Sequence, residues 1–140
     1  MKKTGFTLIE VMVVVVILGI IVAIASPKFS LLLARSKEKS VLANLSVLRE
    51  SLRIYYSENA TYPRDDLSSL YPKYISEIPK ISLPNTSHPS SNFVRVVNST
   101  SDITDSGFLS YVNDENSSAF GSVFIDCSHV DSSGRQYFTY

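Results

Sequence analysis

From Phe6 to Ala25 the chain runs through twenty consecutive residues that are apolar or small, with one exception, the carboxylate of Glu10. About 20 such residues are enough to cross the hydrocarbon core of a bilayer as a helix. A carboxylate near the middle of such a helix costs roughly 2.5–3.5 kcal/mol on insertion scales, so Glu10 demands a partner. The short basic start Met1-Lys2-Lys3-Thr4-Gly5 holds the N-terminus in the cytoplasm and sends the remainder across the membrane.

The same features admit a secretory-signal reading. Ala23-Ile24-Ala25 fits the A-x-A pattern before Ser26, and cleavage there would release a soluble secreted binding domain. Three observations weigh against it. Glu10 would have no role, the apolar run exceeds the usual core of about 7–15 residues, and a helical pattern continues directly past Pro27.

The residues Lys2-Lys3-Thr4-Gly5-Phe6-Thr7-Leu8-Ile9-Glu10, followed by Val11-Met12-Val13-Val14-Val15 and a proline at the end of the run, closely resemble the leader and N-terminal helix of type IV pilins and type II secretion pseudopilins, over roughly the first 55 residues. The resemblance implies that a prepilin peptidase cuts between Gly5 and Phe6 and that the new Phe6 amine is N-methylated. The apolar helix then stays in the product as its polymerising part. It also implies that Glu10 pairs with the Phe6 amine of a neighbouring subunit, which neutralises two buried charges together and sets register. The implied partners are other copies of the chain, the peptidase, an inner-membrane assembly platform, minor pilins, and membrane lipid before assembly. The implied product is a cell-surface type IV pilus for adhesion, motility or DNA uptake. The alternative is a periplasmic pseudopilus for protein export.

A chain of 140 residues suits one compact domain with a modest core. The sequence divides into a leader (1–5), an apolar helix (6–27), an amphipathic half of the same helix (28–58) and a globular loop and sheet region (59–140). Pro27 removes a backbone hydrogen bond and crowds the preceding turn, which predicts a kink. Beyond it, Val41, Leu45, Leu48, Leu52 and Tyr55 fall on one helical stripe. Lys37, Glu38, Lys39, Asn44, Arg49, Glu50 and Arg53 are assigned to the opposite face. Asn59, in a left-handed conformation, and the Tyr62-Pro63 pair are expected to end the helix.

Four prolines between residues 63 and 84 predict an irregular connection with buried aromatic anchors and one short helical turn at 66–70. Serine, threonine and asparagine dominate residues 85–106, which read as solvated loops open to O-linked sugars or fibre contacts, around a strand at 93–97. A meander follows, with strands at 108–112, 122–127 and 136–140 and a hairpin turn at Asp131-Ser132-Ser133-Gly134. The expected fold class is α+β: a long N-terminal helix whose C-terminal half packs on an antiparallel sheet of three to four strands, the pilin fold in terms of the resemblance.

No enzyme and no cofactor are expected. Basic and acidic residues number 13 each, and losing Lys2 and Lys3 with the leader would leave a slight acidic excess, so nucleic acid is not suggested as a partner. Cys127 is the one cysteine, which excludes an intrachain disulfide. Its alternation with Val123 and Ile125 places it in the core as a small apolar residue, with an interchain disulfide or reactive thiol as the alternative. His88 and His129 are far apart in sequence and read as loop residues, not metal ligands. Asp102, Asp105, Asp114, Glu115, Asp126 and Asp131 read as turn carboxylates. Calcium is the alternative there, although no EF-hand spacing occurs.

Overall fold

The apolar run and the stripe beyond it form one α-helix, α1 (Leu8–Asn59), in a computed structural model that describes residues 5–140. Most of the expected leader, residues 1–4, lies outside the described residues. Pro27 sits inside α1, and the Ser30 hydroxyl donates to the Pro27 carbonyl at 2.9 Å. At the other end the left-handed residue is Ala60, with φ of 56°, not Asn59. Asn59 is still helical and donates its side-chain amide to the Tyr55 carbonyl at 2.9 Å, which satisfies one of the carbonyls a helix end leaves open. The chain divides into two compact units, the first ending at Ala34 and the second comprising Arg35–Tyr140.

In the second unit Val41, Leu45, Leu48 and Leu52 are all buried, and Leu48 is 0% exposed. Each fully buried aliphatic side chain of this kind contributes about 1.5–3 kcal/mol, so these four dominate the attachment of the helix to the sheet. Tyr55 packs at the margin of the same cluster. Two residues assigned to the polar face lie elsewhere. Glu38, one turn before Val41, extends the stripe and is only 6% exposed. Its carboxylate accepts the Ser132 N–H at 3.0 Å and the Ser132 hydroxyl at 2.5 Å, because burial obliges it to find donors. Arg49 is half-buried and donates to the carbonyls of Val123 and Tyr140 at 2.9 and 2.6 Å.

The sheet contains β1 (Val94–Val97), β2 (Leu109–Val112) and β3 (Val123–Ile125) in the order β1-β2-β3. Period-two alternation sorts its side chains. Leu109, Tyr111, Val123 and Ile125 join the helix stripe in the main core, whereas Val112 and Phe124 join Val97 in a second, smaller cluster with Phe138. The α+β fold is therefore as expected, with one correction. β2 and β3 are antiparallel, but β1 and β2 run parallel, pairing Val94 with Leu109 and Val97 with Val112. Parallel neighbours need a crossover connection, and here it is irregular chain held by Asp126.

Asp126 follows β3 directly and is 0% exposed. Its carboxylate accepts the backbone N–H groups of Thr104 and Asp105 at 2.7 and 3.0 Å and the hydroxyls of Thr104 and Ser106 at 2.6 and 2.7 Å. Arg95 on β1 lies 3.4 Å away and also bonds Asp102 at 2.8 Å. So residues 102–106, expected as solvated loop, are fastened to the sheet by a buried charge and its Arg95 partner.

The expected last strand is a second difference. The Asp131–Gly134 turn forms, with Gly134 at φ of 84°, yet beyond one bridge between Val130 and Gln136 the chain enters a 3-10 turn, Tyr137–Thr139. Tyr137 is thereby turned into the main core. The connection after α1 holds a 3-10 turn at Ser68–Leu70. Its buried anchors are the aliphatic Leu67, Leu70, Ile75, Ile81 and Leu83, and Tyr62 and Tyr74 pack only at the edge. At the edge a tyrosine hydroxyl can meet a polar partner, and that of Tyr74 donates to Glu58 at 2.6 Å.

Candidate assembly helix and the groups beyond β3

Every residue from Gly5 to Leu33 is exposed, including Phe6, Leu8, Ile9, Val13, Ile17, Ile21 and Phe29. An 18-residue window of this helix has a mean hydropathy of 3.2, and none of it is buried. A helix that is apolar all round belongs in an apolar medium or against other apolar helices. Its length suffices for a bilayer.

The start of α1 shows how Glu10 is accommodated within the chain. Leu8 is the first helical residue, which makes Thr7 its N-cap. The Thr7 hydroxyl accepts the Glu10 N–H at 3.4 Å, and Glu10 Oε2 accepts the Thr7 N–H at 2.9 Å and the Thr7 hydroxyl at 2.7 Å. This reciprocal arrangement is a capping box. It satisfies two donors that the helix N-terminus would otherwise leave open to lipid, where each costs several kcal/mol. The carboxylate also lies at the positive end of the helix dipole. The Thr-x-x-Glu spacing is visible in the sequence, and it gives Glu10 a local partner as well as any in a neighbouring chain. Phe6 precedes the cap directly and is 81% exposed. Cleavage after Gly5 would therefore place a new amine one residue ahead of the cap.

At the far end of the chain Cys127 is 0% exposed, and burial pushes its thiol up to about 11. The two histidines assigned to separate loops meet, with His88 Nε2 and His129 Nδ1 3.3 Å apart. Asp105 and Cys127 join them, so that one ligand atom from each of the four lies within 4.8 Å of the others. Only Cys127 and His129 are close in sequence, so spacing gave no sign of the group. For Asp126, burial acts to raise the carboxyl pKa, but the hydrogen bonds from Thr104, Ser106 and Asp105 outweigh it and hold the group below the usual carboxylate range.

Residues 1–26 match the family model described as the prokaryotic N-terminal methylation motif. The type IV major pilin protein PilA of Myxococcus xanthus is 44% identical over 61 residues, 44% of this chain and 28% of that protein. The type II secretion system core protein G of Vibrio cholerae is 38% identical over 65 residues, 46% of this chain and 44% of that protein. The type IV major pilin protein PilE of Neisseria gonorrhoeae is 31% identical over 83 residues, covering half of that protein. The chain thus spans half or less of the length of these curated relatives. No solved structure matches it. The N-terminal segment carries the prepilin-type motif, and its relatives are type IV pilins and type II secretion pseudopilins.

Proposed function

We propose, for a chain whose N-terminal segment is that of the pilins and pseudopilins, that it is a structural subunit of a type IV pilus. In this reading prepilin peptidase cuts between Gly5 and Phe6, Phe6 is N-methylated, and the subunit waits in the inner membrane as a single-pass protein. An assembly platform then draws the helix out of lipid and into a bundle of sister helices, with minor pilins among the partners. The observation that carries the reading is an exposed, predominantly apolar helical half attached to a folded α+β unit. Moving that helix from lipid to a fibre core exchanges one apolar medium for another, so hydrophobic burial drives little of the step and close packing must supply it. Pro27 gives the helix a place to bend as it packs. Glu10 supplies register by pairing with a neighbour's Phe6 amine.

The expected subunit mass is that of a chain starting at methylated Phe6. A mature N-terminus at Ser26 would replace this reading with that of a secreted soluble domain. Glu10→Leu is expected to leave membrane insertion intact and reduce filaments severely, and normal fibre yield would remove Glu10 from assembly. Because core protein G is also among the relatives, a periplasmic pseudopilus is the second reading. Sheared surface fibres that contain the subunit favour the pilus; subunit found in the periplasm with no surface fibres favours the pseudopilus.

A further inference from the structure

Three separate stretches of chain deliver four metal-ligating side chains to one point. His88 comes from the loop before β1, Asp105 from the crossover between β1 and β2, and Cys127 and His129 from the segment after β3. His88 Nε2 is 3.6 Å from Asp105 Oδ1, and His129 Nδ1 is 3.5 Å from the same oxygen. His88 Nε2 and His129 Nδ1 are 3.3 Å apart, and Cys127 Sγ is 3.4 Å from His129 Nδ1. The two nitrogen–oxygen separations are long for hydrogen bonds, which cluster at about 2.7–3.2 Å. These four separations match edges of a ligand tetrahedron, and the remaining two pairs, Cys127 with His88 and Cys127 with Asp105, lie within 4.8 Å. With metal–nitrogen and metal–oxygen bonds of about 2.0–2.1 Å and a metal–sulfur bond of about 2.3 Å, tetrahedral neighbours lie roughly 3.3–3.7 Å apart.

The surroundings hold this geometry in place. A Cβ at Gly107, whose φ is +75°, would lie 2.4 Å from Cγ of His88, so only glycine lets the ring settle against that backbone. The Ser128 N–H donates to Asp105 Oδ1 at 2.7 Å, the kind of outer hydrogen bond that orients a ligating carboxylate. Asp126, one residue before Cys127, accepts the Asp105 N–H at 3.0 Å and ties two of the contributing stretches together.

We propose that His88, Asp105, Cys127 and His129 form a four-coordinate binding site for a zinc-class divalent metal ion. A thiolate and two imidazoles with one carboxylate are a donor set for zinc or its neighbours, whereas calcium takes six to eight oxygens. Four protein ligands fill the tetrahedron, which makes the site structural, not catalytic. Cys127 binds as thiolate and gives up its proton to solvent, and both imidazoles bind neutral. The ion would join the loop before β1, the crossover and the C-terminal segment. Such a cross-link supplies what a chain with one cysteine cannot obtain from an intrachain disulfide.

The test uses the full chain without a histidine tag, in detergent, stripped by chelator and titrated with cobalt(II) and then zinc(II). One cobalt per chain is expected, with the intense visible absorption of a tetrahedral site and a near-ultraviolet thiolate-to-cobalt band, both lost when zinc displaces cobalt. Zinc should also raise the melting temperature of the stripped protein. Cys127→Ser should abolish the thiolate band. His88→Gln should keep that band and weaken zinc by at least about 100-fold. Circular dichroism of the metal-free variants checks that each is folded, and if either is not, the wild-type cobalt spectrum decides alone. Cobalt bound at well under one per chain, a six-coordinate spectrum without the thiolate band, or a folded His88→Gln variant with wild-type zinc affinity would each overturn the site. None of these outcomes bears on filament assembly.

Discussion

Val11 to Leu33 and Val41 to Leu52 belong to one helix and draw on the same aliphatic residues, yet the first stretch leaves its side chains exposed and the second buries Val41, Leu45, Leu48 and Leu52. What separates them is arrangement. In the first, apolar residues cover every side and Lys28 is the one charge, so no face is set aside for water and no single face is chosen for a partner. In the second, charged residues interrupt the pattern and leave one stripe, which suits a protein's own core. The comparison shows that hydrophobic content alone does not tell a polymerising or membrane helix from a core helix, whereas its distribution around the axis does.

The widest separation between the two stretches should come from truncating matched aliphatic residues. Leu48→Ala is expected to destabilise the Arg35–Tyr140 unit by about 2–5 kcal/mol, read by chemical denaturation of the full chain in detergent. Ile17→Ala should move the same transition by less than about 0.5 kcal/mol while filament yield falls. Equal effects on the transition would erase the distinction. A polar counterpart lies at Asp126, whose loss should be felt in the second unit alone. Asp126→Asn is expected to cost roughly 3 kcal/mol at neutral pH, since several hydrogen bonds to a charged acceptor go with it. The carboxyl is held below the usual aspartate value of 3.8. Its contribution is therefore complete above that pH and fades as the pH falls through the lower folded-state value. The gap between wild type and variant should close in that acid range, and a gap that stays constant there would discount the carboxylate. A smaller and purely local effect than that of Asp126 belongs to the cap of the exposed stretch. Thr7→Ala should cost about 1 kcal/mol locally, seen as faster amide exchange in the first turn of α1 with no shift in the folded unit, and Thr7→Ser should restore protection.

Periodicity made much of this visible in advance. The stripe at Val41, Leu45, Leu48 and Leu52, the approximate strands and the N-terminal motif all follow from local spacing. The parallel pairing of β1 with β2 does not, because the turn residues that suggested a meander act over a few positions, whereas the crossover is secured by Asp126 from more than twenty residues away. Glu38 was assigned to the wrong face because its charge outweighed its position one turn before Val41, and only the donors on Ser132 make burial tolerable there. The group around Cys127 was hidden for the same reason as the crossover, since His88 and Asp105 reach it through the fold. The Thr-x-x-Glu spacing of the Thr7–Glu10 box, like the position of Glu38, is displayed by the sequence.

Asp126 also has a bearing on time. Arg95 ties Asp102 to β1, but Thr104, Asp105 and Ser106 have no anchor to the rest of the sheet until β3 has delivered that carboxylate, so the antiparallel pair, close in sequence, can form first and the parallel strand closes last. In Asp126→Asn the folding limb of the kinetics should then slow by little and unfolding should quicken, the mark of an interaction completed after the transition state. An edge strand that arrives last is also the part of the sheet that first becomes available to another chain.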